Sequence, residues 1–242
     1  MSAFLSRLLF PPTCKGCGKR YASYFGKSEP PVFCSACEAV WQRAIREECP
    51  RCFRPFIACT CVSGKLKKAG FALHVKLARY GEEAAQRVMH YAVLYMKKHT
   101  SARLAERLAS ELASGVKEAI ALLGYDEAHA LIVPLPRATK SVRRYGTDQA
   151  VVLALALSHA TGIAYEPLLY RTRHAREQKE LSAKEREKNL ADVFASRPVP
   201  QGYCVILVDD VVTTGTSMYE AGRALHKAGA RDKIAVSLAV VK

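Results

Sequence analysis

The sequence predicts an α/β protein, in which helices flank a parallel sheet and a small cysteine-rich module precedes it. Two observations predict this fold: short apolar runs alternate with segments of helical periodicity, and eight of the nine cysteines fall within residues 14–61. With 242 residues, 50% of them hydrophobic and 24% charged, the composition is that of a globular protein and excludes disorder or a collagen-like helix.

The larger part of the chain, residues 65–242, supplies the alternating elements. Predicted strands cover residues 71–80, 130–133, 204–208 and 234–241. Predicted helices cover residues 82–98, 101–123, 148–159 and 215–228, and Gly124 and Gly229 end two of them. Strands that alternate with helices pair in parallel through crossover connections. Residues 166–200 contain no long periodic element, and so long an irregular insert in a compact domain indicates a functional role.

The cysteine-rich module, residues 1–64, contains four short cysteine pairs. They are Cys14 and Cys17, Cys34 and Cys37, Cys49 and Cys52, and Cys59 and Cys61. Two tetrahedral zinc sites of four cysteines require eight thiolates, so the spacing predicts a double zinc ribbon with structural metal ions. Sequential assignment of the pairs needs the shortest loops and is favoured, with interleaved assignment and a disulfide framework as alternatives. The ninth cysteine, Cys204, lies in an apolar run and is predicted to be a core residue.

Residues 205–217 form the most informative stretch: a buried strand, two carboxylates and a hydroxyl-rich turn that opens a helix. In α/β proteins, ligands bind at the carboxyl ends of parallel strands. The backbone amides of residues 214–217, with nearby hydroxyls, would hold a phosphate group, and Gly215 would permit its close approach. Asp209 and Asp210 suit ribose hydroxyls, directly or through Mg²⁺. Ordinary helix capping is the alternative, but it explains only one or two of these residues.

This stretch resembles the phosphoribosyl pyrophosphate (PRPP) signature of type I phosphoribosyltransferases. With the double zinc ribbon, it makes the chain similar to the ComF/ComFC family of competence proteins. Further motifs that carry the resemblance are Pro11-Pro12-x-Cys14-x-x-Cys17, residues 133–136, residues 144–150, and the spaced set Gln178, Leu181, Arg186, Asn189 and Phe194. Two residues depart from the pattern: Thr147 replaces an aromatic residue, and Asp148 replaces an Asn with a carboxylate that would repel phosphate.

The resemblance implies a type I phosphoribosyltransferase-like domain that binds PRPP with Mg²⁺. The implied binding residues are Asp209, Asp210, Val211, Thr213, Thr214, Gly215, Thr216, Ser217, Leu135, Pro136 and Arg137. Of these, Asp209 and Asp210 would contact the ribose or the metal and Arg137 would neutralise pyrophosphate, so these three would carry catalysis. Because no residue is recognisable as an acid or base for an incoming nucleophile, the sequence supports a PRPP pocket more strongly than an active enzyme.

The formal net charge of +15 predicts an acidic or phosphorylated partner. Cations cluster at residues 137–144 and 171–179, which suits the backbone of single-stranded DNA, with Tyr145 and Tyr170 as stacking surfaces. The residues expected to contact nucleic acid are Lys140, Arg143, Arg144, Arg171, Arg173, Arg176 and Lys179. A solvated face on which cations alternate with acids is the alternative, and residues 184–188 fit it.

By resemblance, the chain is expected to act in DNA uptake during natural transformation, in the cytoplasm, with single-stranded DNA and a helicase-like competence ATPase as partners. An active phosphoribosyltransferase of nucleotide metabolism and a zinc-stabilised adaptor with a vestigial pocket are the alternatives. The apolar residues 4–10 run into Pro11 and are too few to cross a bilayer, so neither a signal peptide nor stable membrane insertion is expected.

Overall fold

A five-stranded parallel sheet organises the protein. The structure, a computed structural model, describes residues 11–21, 29–81, 83, 86–99, 101–137, 148–172 and 193–241. The sheet contains β1 (Phe71–Arg79), β2 (Ala130–Pro134), β3 (Ala164–Tyr165), β6 (Cys204–Val212) and β7 (Lys233–Val240). The strand order is β1-β7-β6-β2-β3, and every pairing is parallel. The predicted fold class, a parallel sheet flanked by helices, is therefore confirmed.

Six α-helices lie within the described residues. They are α1 (Ser35–Arg46), α2 (Gly64–Lys68), α3 (Arg87–Lys98), α4 (Ala102–Leu122), α5 (Gln149–Thr161) and α6 (Thr216–Lys227). Short 3₁₀ turns occur at Phe56–Ala58 and Glu127–His129. Helix α4 forms as predicted: the Ser101 hydroxyl caps it by accepting from the Leu104 amide, and Gly124 follows its end with φ 81°. Helix α3 begins at Arg87, and residues 82, 84 and 85 of the predicted helix lie outside the described part.

Alternate residues of the central strand β6 face two separate hydrophobic layers. On one face, Ile206 and Val208 pack in a cluster with the apolar stripes of α3, α4 and α5. On the other face, Val205 and Leu207 join a cluster that contains Leu66 of α2 and the buried side of α6. Helix α2 is thereby placed against the amino end of α6, at the carboxyl edge of the sheet.

The cysteine-rich module packs on the same core as the sheet. Trp41 of α1 is completely buried, and its indole N–H donates to the Glu111 carboxylate of α4 at 3.0 Å. Arg107 of α4 donates to Glu38 of α1 at 2.8 Å. The amide of His74 in β1 donates to the Thr60 carbonyl at 3.1 Å, which ties the second half of the module to the edge strand. The division of the chain at residue 64 remains a prediction, and across that point the contacts are extensive.

Several features differ from the sequence-based expectation. Strand β6 continues to Val212, beyond the predicted end at residue 208, because Asp209 pairs with Ser237 and Val212 with Val240 of β7. Pairing with a neighbouring strand outweighs the low strand propensity of aspartate. The insert at residues 166–200 contains a small antiparallel pair, β4 (Leu169–Arg171) and β5 (Phe194–Ser196), and residues 173–192 of it lie outside the described part. Helices α1 and α2 and the short strand β3 were not predicted.

Candidate functional site

Two clusters of four cysteines lie in the amino-terminal module. Their members are Cys14, Cys17, Cys34 and Cys37 in the first, and Cys49, Cys52, Cys59 and Cys61 in the second. Within each cluster all sulfur atoms lie within 4.8 Å of one another. The sequential assignment of the pairs is therefore the one that the structure brings together, and all nine cysteines, Cys204 included, are free of disulfides.

The geometry of both clusters suits a tetrahedral metal ion. Zinc binds cysteine sulfur at about 2.3 Å, which places tetrahedral sulfurs roughly 3.8 Å apart, and the Cys52 and Cys59 sulfurs are 3.6 Å apart. Burial acts to raise the pKa of Cys14, but the amides of Cys34 and Gly16 donate to its sulfur and lower its pKa to about 7. Thiolate is the form that binds metal, so these two amides favour the metal-binding form of Cys14.

A buried lysine adjoins the second cluster. Lys76 of β1 is only 4% exposed, and its ammonium group lies 3.3 Å from the Cys59 sulfur and 3.1 Å from the Cys61 carbonyl. A four-thiolate zinc centre carries a net charge of about −2. Since a buried cation needs an anionic partner, Lys76 supplies positive charge to the second cluster at the place where that cluster meets the sheet.

The two acids that the sequence singled out, Asp209 and Asp210, form an acidic pair near the carboxyl end of β6. Asp210 is buried, and its carboxylate accepts a short hydrogen bond from the Arg137 guanidinium. The Lys97 ammonium at the end of α3 lies 3.8 Å from the same Asp210 oxygen. The carboxylate of Asp209 accepts from the Asp210 amide at 2.8 Å, and burial and then the charge of Asp210 raise the pKa of Asp209 well above the ordinary range. The structure thus brings Asp209, Asp210 and Arg137 together.

A row of buried polar side chains connects Asp209 with the second cysteine cluster. Ser237 of β7 is the register partner of Asp209 on one side and of Lys76 on the other. Its hydroxyl lies 2.9 Å from the ring of buried His74. Burial and then the Lys76 charge lower the pKa of His74 to about 3, so the imidazole is neutral at pH 7. This row crosses three adjacent strands of the sheet.

The predicted phosphate loop, Thr213–Ser217, follows β6 directly. Thr213 and Thr214 are exposed, Ser217 is partly exposed, and Gly215 adopts a left-handed conformation with φ 72° immediately before α6. A Cβ atom at Gly215 would lie 2.8 Å from the Leu66 side chain of α2, so glycine is required here both by conformation and by space. The first amides of a helix have no intrahelical partner, which leaves the start of α6 suited to an anion.

A lysine outside the predicted set reaches the phosphate loop. The Lys65 ammonium, in α2, donates to the Thr216 hydroxyl at 2.7 Å, and the Thr214 and Thr216 hydroxyls lie 3.0 Å apart. Helix α2 thus contributes a cation, as well as the packing of Leu66, to the start of α6. The sequence signal was the basic joint at residues 64–68, but only the packing of α2 against α6 shows which of its lysines reaches the loop.

The turn after β2 reaches the acidic pair through Arg137. The Leu135 side chain is buried in the core, whereas Pro136 and Arg137 are partly exposed, so Leu135 would face a ligand through its backbone alone. Asp148 accepts from the Arg137 amide with one carboxylate oxygen and from the Ala150 amide with the other, both at 3.0 Å. The departure from the family motif at Asp148 therefore caps α5 and fixes the position of Arg137.

The expected nucleic-acid residues lie mostly outside the described part of the chain. That applies to Lys140, Arg143, Arg144, Arg173, Arg176 and Lys179, and also to Tyr145. Arg171, in β4, packs over the Phe194 ring at 5.0 Å, and burial lowers its pKa. Neighbouring Tyr170 is exposed. Val211 packs against the core from β6, and its amide donates to the Asp210 carboxylate at 2.8 Å.

The fold and the site together define the class of the protein. Residues 100–241 match the family model of the phosphoribosyl transferase domain. The match spans more than half of the chain, so the chain belongs to the phosphoribosyltransferase family, and the acidic pair, the phosphate loop and the turn at Arg137 all lie inside the matched region.

The curated relatives that match this chain belong to a narrower group of proteins than the family model describes. Competence protein ComFC of Streptococcus pneumoniae is 24% identical over 217 residues, which cover 88% of this chain and 89% of that protein. DNA utilization protein YhgH of Salmonella typhi is 35% identical over 100 residues, 41% of this chain and 44% of the relative. Competence protein F of Haemophilus influenzae is 33% identical over 105 residues, 42% of this chain and 46% of the relative. For the last two, the aligned region spans less than half of the relative's length.

With the two cysteine clusters at the amino terminus, these matches confirm the predicted resemblance to the ComF/ComFC family. Among solved structures, an allosteric regulatory enzyme of purine biosynthesis aligns with a TM-score of 0.33 and 22% identity over 55% of this chain and 26% of that chain. The TT1426 protein of Thermus thermophilus aligns with a TM-score of 0.31 and 21% identity over 58% of this chain and 81% of that chain.

Across the described residues, no helix combines the length and the apolar character that crossing a membrane requires.

Proposed function

We propose that this protein binds PRPP with Mg²⁺ at the carboxyl edge of the sheet and serves in DNA uptake, with single-stranded DNA as a ligand. One observation carries the proposal: two carboxylates, a guanidinium and a hydroxyl-lined helix start converge at the end of β6. The relatives are named competence and DNA utilization proteins, which supports the cellular role.

Each part of PRPP has a chemical counterpart in this arrangement. The 5′-phosphate would sit on the amides and hydroxyls of Thr213–Ser217, with Lys65 beside them. Asp209 and Asp210 would hold the ribose hydroxyls, and Mg²⁺ suits these carboxylate oxygens and the pyrophosphate. Arg137 is hydrogen-bonded to Asp210 and would turn to the pyrophosphate oxygens when PRPP binds.

The two cysteine clusters, as zinc sites, would have a structural role. All four positions of each would be filled by cysteine, which leaves no open position for a substrate. We propose that residues 1–64 form a metal-stabilised module that supports the edge strand β1 and places α2 beside the phosphate loop. A helicase-like competence ATPase as partner and a cytoplasmic location remain expectations from the family resemblance.

Calorimetry with PRPP and Mg²⁺ tests the pocket. The wild type should release heat with a stoichiometry near one, and the double variant Asp209→Asn/Asp210→Asn should not. The matched control, Asp126→Asn/Glu127→Gln, removes two adjacent acids before the amino end of β2, at the opposite edge of the sheet, and should bind as the wild type does. A wild type that binds no PRPP would favour the adaptor with a vestigial pocket.

An active phosphoribosyltransferase is the second candidate, and the position of Arg137 favours it. A guanidinium aimed at the departing pyrophosphate, with the ribose held by carboxylates, supplies the electrostatic stabilisation that the transfer requires. Release of pyrophosphate from PRPP in the presence of a panel of bases and amines would identify the acceptor. A protein that binds PRPP but releases no pyrophosphate with any of them would act as a binding protein.

A further inference from the structure

A groove of about 630 Å³ runs between α2 and α6, away from the phosphate loop. It begins at Thr216, the first residue of α6, and is lined further on by Tyr219 and Arg223 of α6 and by Lys65 and Lys68 of α2. Thr216 and Arg223 are seven positions apart in a helix, which corresponds to about 10 Å at 1.5 Å per residue. The groove is thus long enough to extend well beyond a single phosphate group.

The lining of the groove is basic and carries one aromatic ring. Three of its side chains are cations and one, Glu220, is an acid. Glu220 is nearly buried and lies 3.3 Å from the Arg223 guanidinium, so it neutralises one of the three cations. The lining therefore keeps a net charge of two positive units. Lys68 is exposed, and the Tyr219 ring lies 6.0 Å from the Arg223 guanidinium carbon. Cations that alternate with an aromatic face are the chemistry that binds single-stranded nucleic acid.

The direction of the groove selects the kind of ligand. In the proposed PRPP pocket, the ribose lies toward Asp209 and Asp210 and its 5′-phosphate lies on the loop. A ligand that continues beyond this phosphate would enter the groove, since the groove begins at Thr216 and leads away along α6. A polynucleotide has this connectivity only at its 3′-terminal nucleotide, whose sugar has a free 3′-hydroxyl and whose 5′-phosphate joins the preceding strand.

We propose that the groove between α2 and α6 holds the strand that leads into a 3′ end of single-stranded DNA. The last sugar would occupy the ribose position near the acidic pair, with its 5′-phosphate on the loop. Preceding phosphates would contact Lys68 and Arg223, and a base would stack on Tyr219. This inference rests on the proposed function, because it uses the orientation proposed for PRPP, and it makes PRPP and a 3′ end mutually exclusive ligands.

Fluorescence anisotropy with a 12-nucleotide oligothymidylate labelled at its 5′ end tests the proposal. An oligonucleotide with a 3′-phosphate should bind about tenfold more weakly than one with a 3′-hydroxyl, because its phosphate would face two carboxylates. Mg²⁺ and PRPP together should displace the 3′-hydroxyl strand. Equal affinity for the two oligonucleotides without displacement by PRPP would overturn the proposal, while PRPP binding in the calorimeter would leave the proposed pocket intact.

Two charge reversals in α2 locate the strand. Lys68→Glu should weaken binding of the 3′-hydroxyl strand about tenfold and reduce the dependence of log affinity on log salt by about one unit. Lys67→Glu is the matched control, because Lys67 is also exposed in α2 but does not line the groove. Equal losses in the two variants would show a general charge effect and overturn the proposed path. Calorimetry with PRPP and Mg²⁺ checks that the pocket is intact in both.

Discussion

Asp148 shows how one residue can serve two backbone segments. Its two carboxylate oxygens accept from different amides, that of Ala150 in α5 and that of Arg137 in the turn after β2. An Asn has one carbonyl oxygen and an NH₂ group, so it could not accept from both amides in this way. The carboxylate that the sequence suggested would repel a phosphate is instead directed to the backbone and positions the cation of the site.

Replacement of Asp148 by Asn should therefore break one of these two contacts. We expect Asp148→Asn to reduce the free energy of unfolding by about 1 kcal/mol, the usual value of a lost cap, and to weaken the binding of PRPP through Arg137. Urea unfolding and calorimetry measure the two effects. Asp126→Asn is the control, because one Asp126 oxygen makes both contacts with His129 and an Asn can keep the capping bond. Equal stability of Asp148→Asn and the wild type would contradict this account.

Lys76 is the second residue whose role the structure reveals. Its ammonium lies among groups of the second cysteine cluster, at 3.3 Å from the Cys59 sulfur. Loss of a second-layer partner lowers metal affinity by about 10- to 100-fold, so we expect Lys76→Met to speed zinc loss from one of the two sites by up to about that factor, while the other site keeps its rate. Chelator-monitored zinc release, followed as two kinetic phases, measures this.

Lys76→Arg preserves the positive charge and should restore most of the wild-type zinc-release rate. If both phases were unchanged in Lys76→Met, the lysine would be a packing residue with no influence on the metal.

At the level of elements, the periodic segments were predictable and the site-forming details were not. The apolar stripe of α4 and the apolar runs of β2, β6 and β7 can be recognised in the sequence, because burial imposes the period of a helix or a strand. The extension of β6 through Asp209 and Asp210 depends on pairing with β7, and no local pattern in the sequence indicates this pairing. The position of α2 against α6 depends on long-range packing in the same way.

The turn between β6 and α6 depends on glycine at position 215. Gly215→Ala would impose a left-handed backbone on a residue with a side chain and would bring its Cβ to 2.8 Å from Leu66. Gly162→Ala is a matched control, because Gly162 has φ 79° at the end of α5 and open space around it. We expect Gly162→Ala to cost about 1 kcal/mol of unfolding free energy and Gly215→Ala distinctly more, with loss of PRPP binding in Gly215→Ala alone. Equal costs in urea unfolding would mean that Leu66 does not constrain the turn.

At the scale of the whole molecule, the cysteine-rich module and the sheet share one hydrophobic core. The cysteine spacing predicted the two clusters and their membership, since a short pair can reach a single ion from one tight turn. The spacing did not predict that α1, which begins next to Cys34, would place Trp41 against α4. The cysteine clusters and the sheet are therefore expected to be coupled in stability.

Metal removal tests this coupling with an internal probe. Trp41 is the single tryptophan of the chain and is fully buried between α1 and α4. Chelation under reducing conditions should release about two zinc ions per chain and shift the tryptophan emission to longer wavelength as α1 detaches. Restoring zinc should reverse the shift. Complete metal loss with an unchanged emission spectrum would show that the core alone holds α1 in place.

The central claim is that the turn from β6 into α6 is a PRPP site. A crystal structure of the protein with PRPP and Mg²⁺ tests it most directly. Our account predicts the 5′-phosphate on the amides and hydroxyls of Thr213–Ser217, the ribose hydroxyls or the metal beside Asp209 and Asp210, and Arg137 turned from Asp210 to the pyrophosphate. PRPP bound elsewhere, or a turn that remains empty at saturating PRPP, would contradict it.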